Sequence, residues 1–242
     1  MVLLAISTDN RSGDLNQPCI TDAVSKISRT TGVAAIDRSS LPGQQTRRSE
    51  VLWLANASFR CYFKLRNIRL CETVLGSVEN ALTLNRQHAN AQQKEGAKQA
   101  SNPTEASIAL GMACYSRADM VTYRYYLGRL RLSQHRIRIA YNELRWAFDN
   151  CTNEHMHNKN LILSHCIVAG LILGVYPSVQ LLQASGLDGP FGQLIHLIKK
   201  GDGRGMYAEL DRWQEWHRAK GHYLLLREKL EIGTWRNLMR RR

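Results

Sequence analysis

The chain has 242 residues, 44% of them hydrophobic and 22% charged, and a formal charge of +13 with a pI near 9.8. That length suffices for one large core or two small ones, and the composition excludes fibrous and wholly disordered classes. The cationic excess points to polyanions or acidic proteins as partners, and the longest apolar run, 13 residues over Leu161–Leu173, falls short of the roughly 20 that span a bilayer.

Residues 1–47 are rich in Ser, Thr, Gly and Asp without sustained periodicity, which predicts a mostly disordered N-terminal segment. Its opening MVLLAIS has no basic n-region and does not read as a signal peptide. From Ser49 the pattern changes. Val51, Leu52, Ala55, Phe59, Tyr62 and Phe63 form one helical stripe, and Ile68, Cys71, Val74 and Leu75 form a second, so 48–83 reads as a helical hairpin. The polar run NRQHANAQQKEGAKQASNPTE and the following SIALGMACYSRAD make 84–118 a linker with an irregular insertion.

From Met120 the pattern is regular. Helices are expected at about 120–132, 135–150, 158–173, 178–186, 190–200, 204–220 and 222–240, with Gly174, Gly201 and Gly221 as stops and Pro177-Ser178 as a start. Taken in pairs they begin near 120, 158, 190 and 222, a repeat of about thirty-odd residues that belongs to helix–turn–helix solenoids. Leu127-Gly128, Ala140 and Ala147 have the spacing at which small residues let paired helices of the tetratricopeptide type approach closely. No segment alternates with period two for long, so the fold class is all-α.

Catalytic constellations are missing: there is no nucleophile elbow, P-loop, zinc-protease motif or paired-carboxylate arrangement. The stretch GDGRG at 201–205 follows a helix and lacks a downstream Lys-Ser/Thr, so it reads as an inter-helix turn. Cys151, His155, His157, His165 and Cys166 are soft-ligand types close in sequence, but two fall in an expected loop and two inside an apolar helix, without the converging spacing a metal needs. No catalytic, cofactor or metal residue is therefore assigned. The six cysteines include no C-x-x-C pair, and reduced core thiols of a cytosolic or nuclear protein are expected.

The arginines carry more information. Seven lie between Arg117 and Arg145 against two acids, Asp119 and Glu143. Arg124 and Arg131 share a helix face opposite Tyr123, Tyr126, Leu127 and Leu130. The plain reading is a solvated face whose arginine stems cover core edges. The functional reading is a surface that tracks nucleic-acid phosphates without base readout, or docks acidic protein, formed by Arg124, Arg131, Arg138, Arg236, Arg240, Arg241 and Arg242. In the last helix Trp235, Leu238 and Met239 recur at helical spacing and look like an apolar face awaiting a partner.

At VTYRYYLGRLRL (121–132) the sequence resembles the start of the PCI domain, the module of proteasome-lid, signalosome and initiation-factor subunits. The likeness continues in order through AYNELRWAFDNC, NKNLILSHCIVAGLILGVYPS, LIHLIKKGD and GHYLLLREKLEIGTWRNLMRR, and upstream CYFKLRNIRLC resembles the Tyr-Phe-Lys-Leu…Leu-Cys hairpin of one branch. That branch holds the PCI subunit of transcription and export complex 2 and the signalosome-associated subunit twelve homologues. The resemblance implies a right-handed, tetratricopeptide-like helical-repeat solenoid over 119–242. In the family a winged helix follows the Arg-Asn-Leu element, and here that part is expected to be truncated or absent, leaving Trp235, Leu238 and Met239 as the face meant to meet it or a partner.

It further implies a non-enzymatic scaffold that couples transcription to mRNA export in the nucleus, at the nuclear pore. The implied partners are a large PCI-containing scaffold subunit, a small acidic subunit and the backbone of RNA or DNA, with no membrane, cofactor or small-molecule substrate. A signalosome-associated subunit and a free-standing nucleic-acid binder are the alternatives.

Overall fold

A computed structural model describes residues 17–39, 46–94 and 114–240, and no strand occurs among them. The chain divides into two units, 1–126 and 127–242, with the boundary inside a helix.

Among the described residues of the first unit a helix comes first, where disorder was expected: α1, Gln17–Ala35, lies inside the 1–47 segment. It packs on both α2 (Val51–Lys64) and α3 (Cys71–Lys94), so that among the described residues a further helix joins the expected hairpin. Its stripe runs through Ile20, Val24, Ile27, Thr31 and Ala34, of which Val24, Thr31 and Ala34 are buried. A buried threonine and small alanines make that stripe faint to a hydropathy reading, and the Thr31 hydroxyl is made compatible with burial by donating to the Ile27 carbonyl at 2.8 Å. Of the two expected stripes, Val51, Leu52, Ala55, Phe59, Tyr62, Cys71, Val74 and Leu75 are buried, while Phe63 and Ile68, the latter in a short turn before α3, are half-buried. Helix α3 runs on to Lys94, eleven residues into the stretch read as linker, and 95–113 lies outside the described residues.

Arg48, just before α2, is fully buried at 1% exposure. Neutral acceptors hold its guanidinium: Nε donates to Asn85 Oδ1 at 2.8 Å, Nη1 to the Asp37 carbonyl and Nη2 to the Ser39 carbonyl at 3.4 Å. Asn85 then donates to the Tyr115 hydroxyl at 3.3 Å. One cation thus ties the α1–α2 connection to α3 and to the segment entering α4, Arg117–Ser133. Ser116 caps α4, accepting from the Asp119 amide at 3.1 Å and donating to its carboxylate at 2.6 Å, a reciprocal capping arrangement. Tyr123 and Tyr126 of α4 meet Phe59 at 6.1 and 6.0 Å between ring centroids, and Phe63 stacks on Tyr126 at 5.6 Å.

The second unit contains the end of α4, then α5 (Ile137–Asn150), α6 (Met156–Leu173), α7 (Val179–Ser185), α8 (Asp188–Lys200), α9 (Gly203–Arg212), α10 (Gln214–Ala219) and α11 (Tyr223–Arg240). Six of the seven expected helices appear within three residues of their expected ends. The seventh, 204–220, is broken at Trp213 into α9 and α10. The Trp213 ring lies against Gly189 at the start of α8, while Trp216 and His217 pack edge-on against Phe191 of the same helix. The break turns both sets of rings onto α8, and it buries His217.

Helix α6 is buried on every side from Ile162 to Leu171, as its continuous apolar run predicts. It ends at Gly174, φ 81°, with Val175 N–H donating to the Gly170 carbonyl at 2.8 Å, the left-handed helix stop that glycine permits. Of the GDGRG stretch, expected as a turn throughout, Gly201 and Asp202 form the turn and 203–205 open α9: Gly201 closes α8 at φ 80°, and Asp202 caps α9 by accepting from Gly205 N–H at 2.9 Å. The core joins α6, α8, α9 and α11 through Ile167, Val168, Phe191, Leu194, Met206 and Leu226.

Candidate interaction surfaces

The Arg-Asn-Leu segment of α11 is engaged with its own unit. Arg236 lies so close over Gly174 that a Cβ there would stand 2.6 Å from its Nη2. Asn237 Nδ2 donates to the Ile198 carbonyl at 3.0 Å and to the Tyr176 hydroxyl at 3.1 Å. Leu238 sits on Gly201, where a Cβ would come within 2.8 Å of the Leu238 Cα. Three consecutive residues therefore clamp α11 to the glycine stops of α6 and α8 and to a last-turn carbonyl of α8, groups that a helix end leaves without intrahelical partners.

This separates the three residues grouped as one apolar face in the sequence. Leu238 is half-buried against Gly201, on the inward side. Trp235 and Met239 are 55% and 62% exposed, and Ile232, which the helical spacing did not single out, is 73% exposed. Ile232, Trp235 and Met239 stand at i, i+3 and i+7 and form one outward stripe. Trp235 Nε1 tethers it by donating to Glu231 Oε1 at 3.3 Å.

The candidate basic residues are spread over both units. In the first unit Arg124 is half-buried on α4. In the second, Arg131 is half-buried and donates to Gln134 Oε1 at 2.8 Å, while Arg138, Arg236 and Arg240 are exposed. Arg241 and Arg242 lie outside the described residues. Arg236, committed to Gly174, is a packing residue as much as a surface cation.

Two features are invisible in the sequence because their members lie far apart in the chain. One is a histidine cluster. His165 of α6 and His222 before α11 meet edge to face at 4.4 Å between centroids, and His217 lies 6.4 Å from His222. All three are buried. Burial pushes His165 down to about 3 and His217 to about 4 from 6.5, and His222 well below it, with the Arg129 cation adding to the shift on His165 and His222. Neither ring nitrogen of His222 has a hydrogen-bond partner among the described residues. Among the same residues no group of three or more His, Cys, Asp or Glu is arranged to hold a metal. The other feature is a cleft between α5, α6 and the turn into α7. Cys61, Cys71, Cys114, Cys151 and Cys166 are thiols rather than disulfides, and burial raises those of Cys61, Cys114, Cys151 and Cys166. No helix is long and apolar enough to cross a membrane among the described residues.

No family model matches the chain. Individual relatives do. It is 30% identical over 232 residues to a PCI domain-containing protein of Schizosaccharomyces pombe, covering 95% of this chain and 46% of that one. It is 27% identical over 201 residues to enhanced ethylene response protein 5 of Arabidopsis thaliana, covering 83% and 42%. A PCI domain-containing protein 2 homolog of Dictyostelium discoideum is 28% identical over 197 residues, covering 81% and 39%. The chain spans less than half the length of these curated relatives.

Proposed function

We propose, from the premise that the chain belongs to the PCI domain-containing protein family, that it is a non-enzymatic scaffold subunit of a nuclear complex coupling transcription to mRNA export. The observation that carries this reading is the homology itself, which covers 95% of the chain in the fission-yeast relative. An all-α body whose signature residues hold its own helices together is what a docking scaffold requires. The net charge of +13 supports a second role in contacting nucleic acid.

In this reading the outward stripe of Ile232, Trp235 and Met239 meets the large PCI-containing subunit of the complex. A small acidic subunit binds elsewhere on the basic surface. Arg138 and Arg240, both exposed, contact RNA or DNA phosphates without reading bases. Arg124, Arg131 and Arg236 contribute to the field around them, and Arg241 and Arg242 extend it.

Affinity purification of the tagged chain from its own nuclei, read by mass spectrometry, tests the assignment. Recovery of a large PCI-containing subunit together with export components is expected, and Trp235→Glu should deplete both without lowering the melting temperature. Recovery of signalosome subunits instead, or of no PCI-containing partner, would end this reading.

A further inference from the structure

Residues 51–71 contain no acid but four bases, Arg60, Lys64, Arg66 and Arg69. The last three stand at the end of α2 and in the turn into α3, and all three are exposed. Among the described residues none of the three forms an ion pair. Leu70, next to Arg69, is 40% exposed.

Arg66 holds a conformation that side chains disfavour. Its φ is 54°, and it closes α2 as Gly174 closes α6. The Arg66 N–H donates to the Phe63 carbonyl at 3.3 Å, and the Asn67 N–H donates to the Tyr62 carbonyl at 3.0 Å. Among the described residues the left-handed stops at 174, 186, 201 and 221 are all glycines, which adopt this conformation without steric cost. The backbone at 66 needs only a left-handed residue, and an exposed side chain fills no core. Neither calls for arginine. The strain is kept for the charge.

The neighbouring aromatics limit what that charge can hold. Tyr62 is buried, and Phe63 stacks on Tyr126 at 5.6 Å between centroids. Neither ring is presented for the base stacking on which binding of single-stranded nucleic acid depends. Two guanidinium forks and an ammonium within six residues suit a compact, doubly charged group instead, and arginine pairs bidentately with phosphate. Leu70 offers an apolar contact beside them.

We propose that the α2–α3 turn is a docking site for a phosphorylated segment of a partner polypeptide. Arg66 and Arg69 hold the phosphate, Lys64 adds charge, and Leu70 packs an apolar side chain next to the modified residue, so phosphorylation switches the contact on. The inference goes beyond the scaffold reading and uses none of the arginines assigned there.

The probe is a fluorescein-labelled heptapeptide of Gly and Ser with a central Leu flanked by two phosphoserines. It is compared, in anisotropy titrations of the full chain, with the unphosphorylated peptide and with an oligouridylate of seven nucleotides. The phosphorylated peptide should bind more tightly than either by about tenfold or more, the scale of one or two charge-assisted contacts. Arg66→Gly removes the cation and relieves the backbone, so it should weaken that peptide severalfold at an unchanged or raised melting temperature. Arg69→Ala should weaken it likewise, and Arg66→Lys should weaken it less than Arg66→Gly. Arg204→Glu, an exposed change on α9, should leave it untouched. Equal binding of the two peptides, tighter binding of the oligonucleotide, an unchanged affinity in Arg66→Gly, or no binding at all would overturn the proposal. If any of these occurred while the tagged chain still recovered its PCI-containing partner, the turn would lose its role and the scaffold reading would stand.

Discussion

Gly128 of α4 and Leu144 of α5 touch so closely that a Cβ at position 128 would stand 2.5 Å from Leu144 Cγ and 2.9 Å from its Cδ2. Leu144 and Ala140 are both completely buried, so the neighbour has little room to retreat. Gly128→Ala, favourable for an isolated helix, should destabilise this protein by roughly 1–3 kcal/mol through overpacking. Urea denaturation of the full chain measures it. Combining the change with Leu144→Ala should cost less than the sum of the two single variants, because one makes space for the other.

Asn237 joins two elements through one amide, donating to the Ile198 carbonyl and the Tyr176 hydroxyl. Asn237→Ala leaves that carbonyl of α8 without its side-chain donor and should cost roughly 1–3 kcal/mol. Asn237→Asp should be worse than alanine at neutral pH, since a carboxylate would face the Ile198 carbonyl oxygen. Hydrogen exchange should show the loss first at α11, the helix the amide clamps.

The buried histidines make the second unit sensitive to acid, and the sign follows from their lowered values. In the folded state His165, His217 and His222 stay neutral, whereas in the unfolded chain they take up protons near 6.5. Below 6.5 the unfolded state binds more protons, so stability falls with pH from 6.5 towards the folded values, about 4 for His217 and about 3 for His165. The cations close to the cluster are Arg129 and Lys220, which oppose protonation of His165 and His222. Melting temperatures of wild type and His222→Phe measured between pH 7 and pH 4 should diverge, with the variant losing less on acidification. Parallel curves would contradict the assignment.

Gly233 occupies the interior of α11 without a positive φ, and a Cβ added there would meet nothing within 4 Å among the described residues. It serves no close approach to them. Gly233→Ala should therefore stabilise the protein by up to about 1 kcal/mol by removing backbone freedom from the unfolded chain. A rise in the urea midpoint with unchanged slope is the expected result.

Arg48 should be as costly to remove as a core side chain. Arg48→Met keeps much of the buried stem but strips the Asn85 side chain and the Asp37 and Ser39 carbonyls of their common donor. A loss of roughly 1–3 kcal/mol is expected, with exchange protection falling first in α1.

Much of the helical order was legible in the sequence because its signals are short-range. A left-handed glycine at 174, 201 or 221 and caps at Ser178 and Asp202 act within a turn or two of the chain. The spacing of Gly128 and Ala140 likewise announced a close helix pair before any contact was known. Helix α1 was hidden because its buried stripe is carried partly by threonine and alanine, whose burial is decided by neighbours on α2 and α3 rather than by their own hydropathy.

The sequence by itself determined an all-α chain, the positions of nearly all the helices beyond residue 116, and a family resemblance resting on motifs in order. Only the tertiary structure decided what those motif residues do. Helical spacing places Trp235, Leu238 and Met239 close together, but the packing of α11 on α6 and α8 turns Leu238 inward and leaves the other two in solvent. The histidine cluster and the cleft arose the same way, from residues separated by tens of positions and joined by packing. Periodicity specifies a side chain's direction around its own helix axis; which directions face a neighbour depends on where the other helices come to rest.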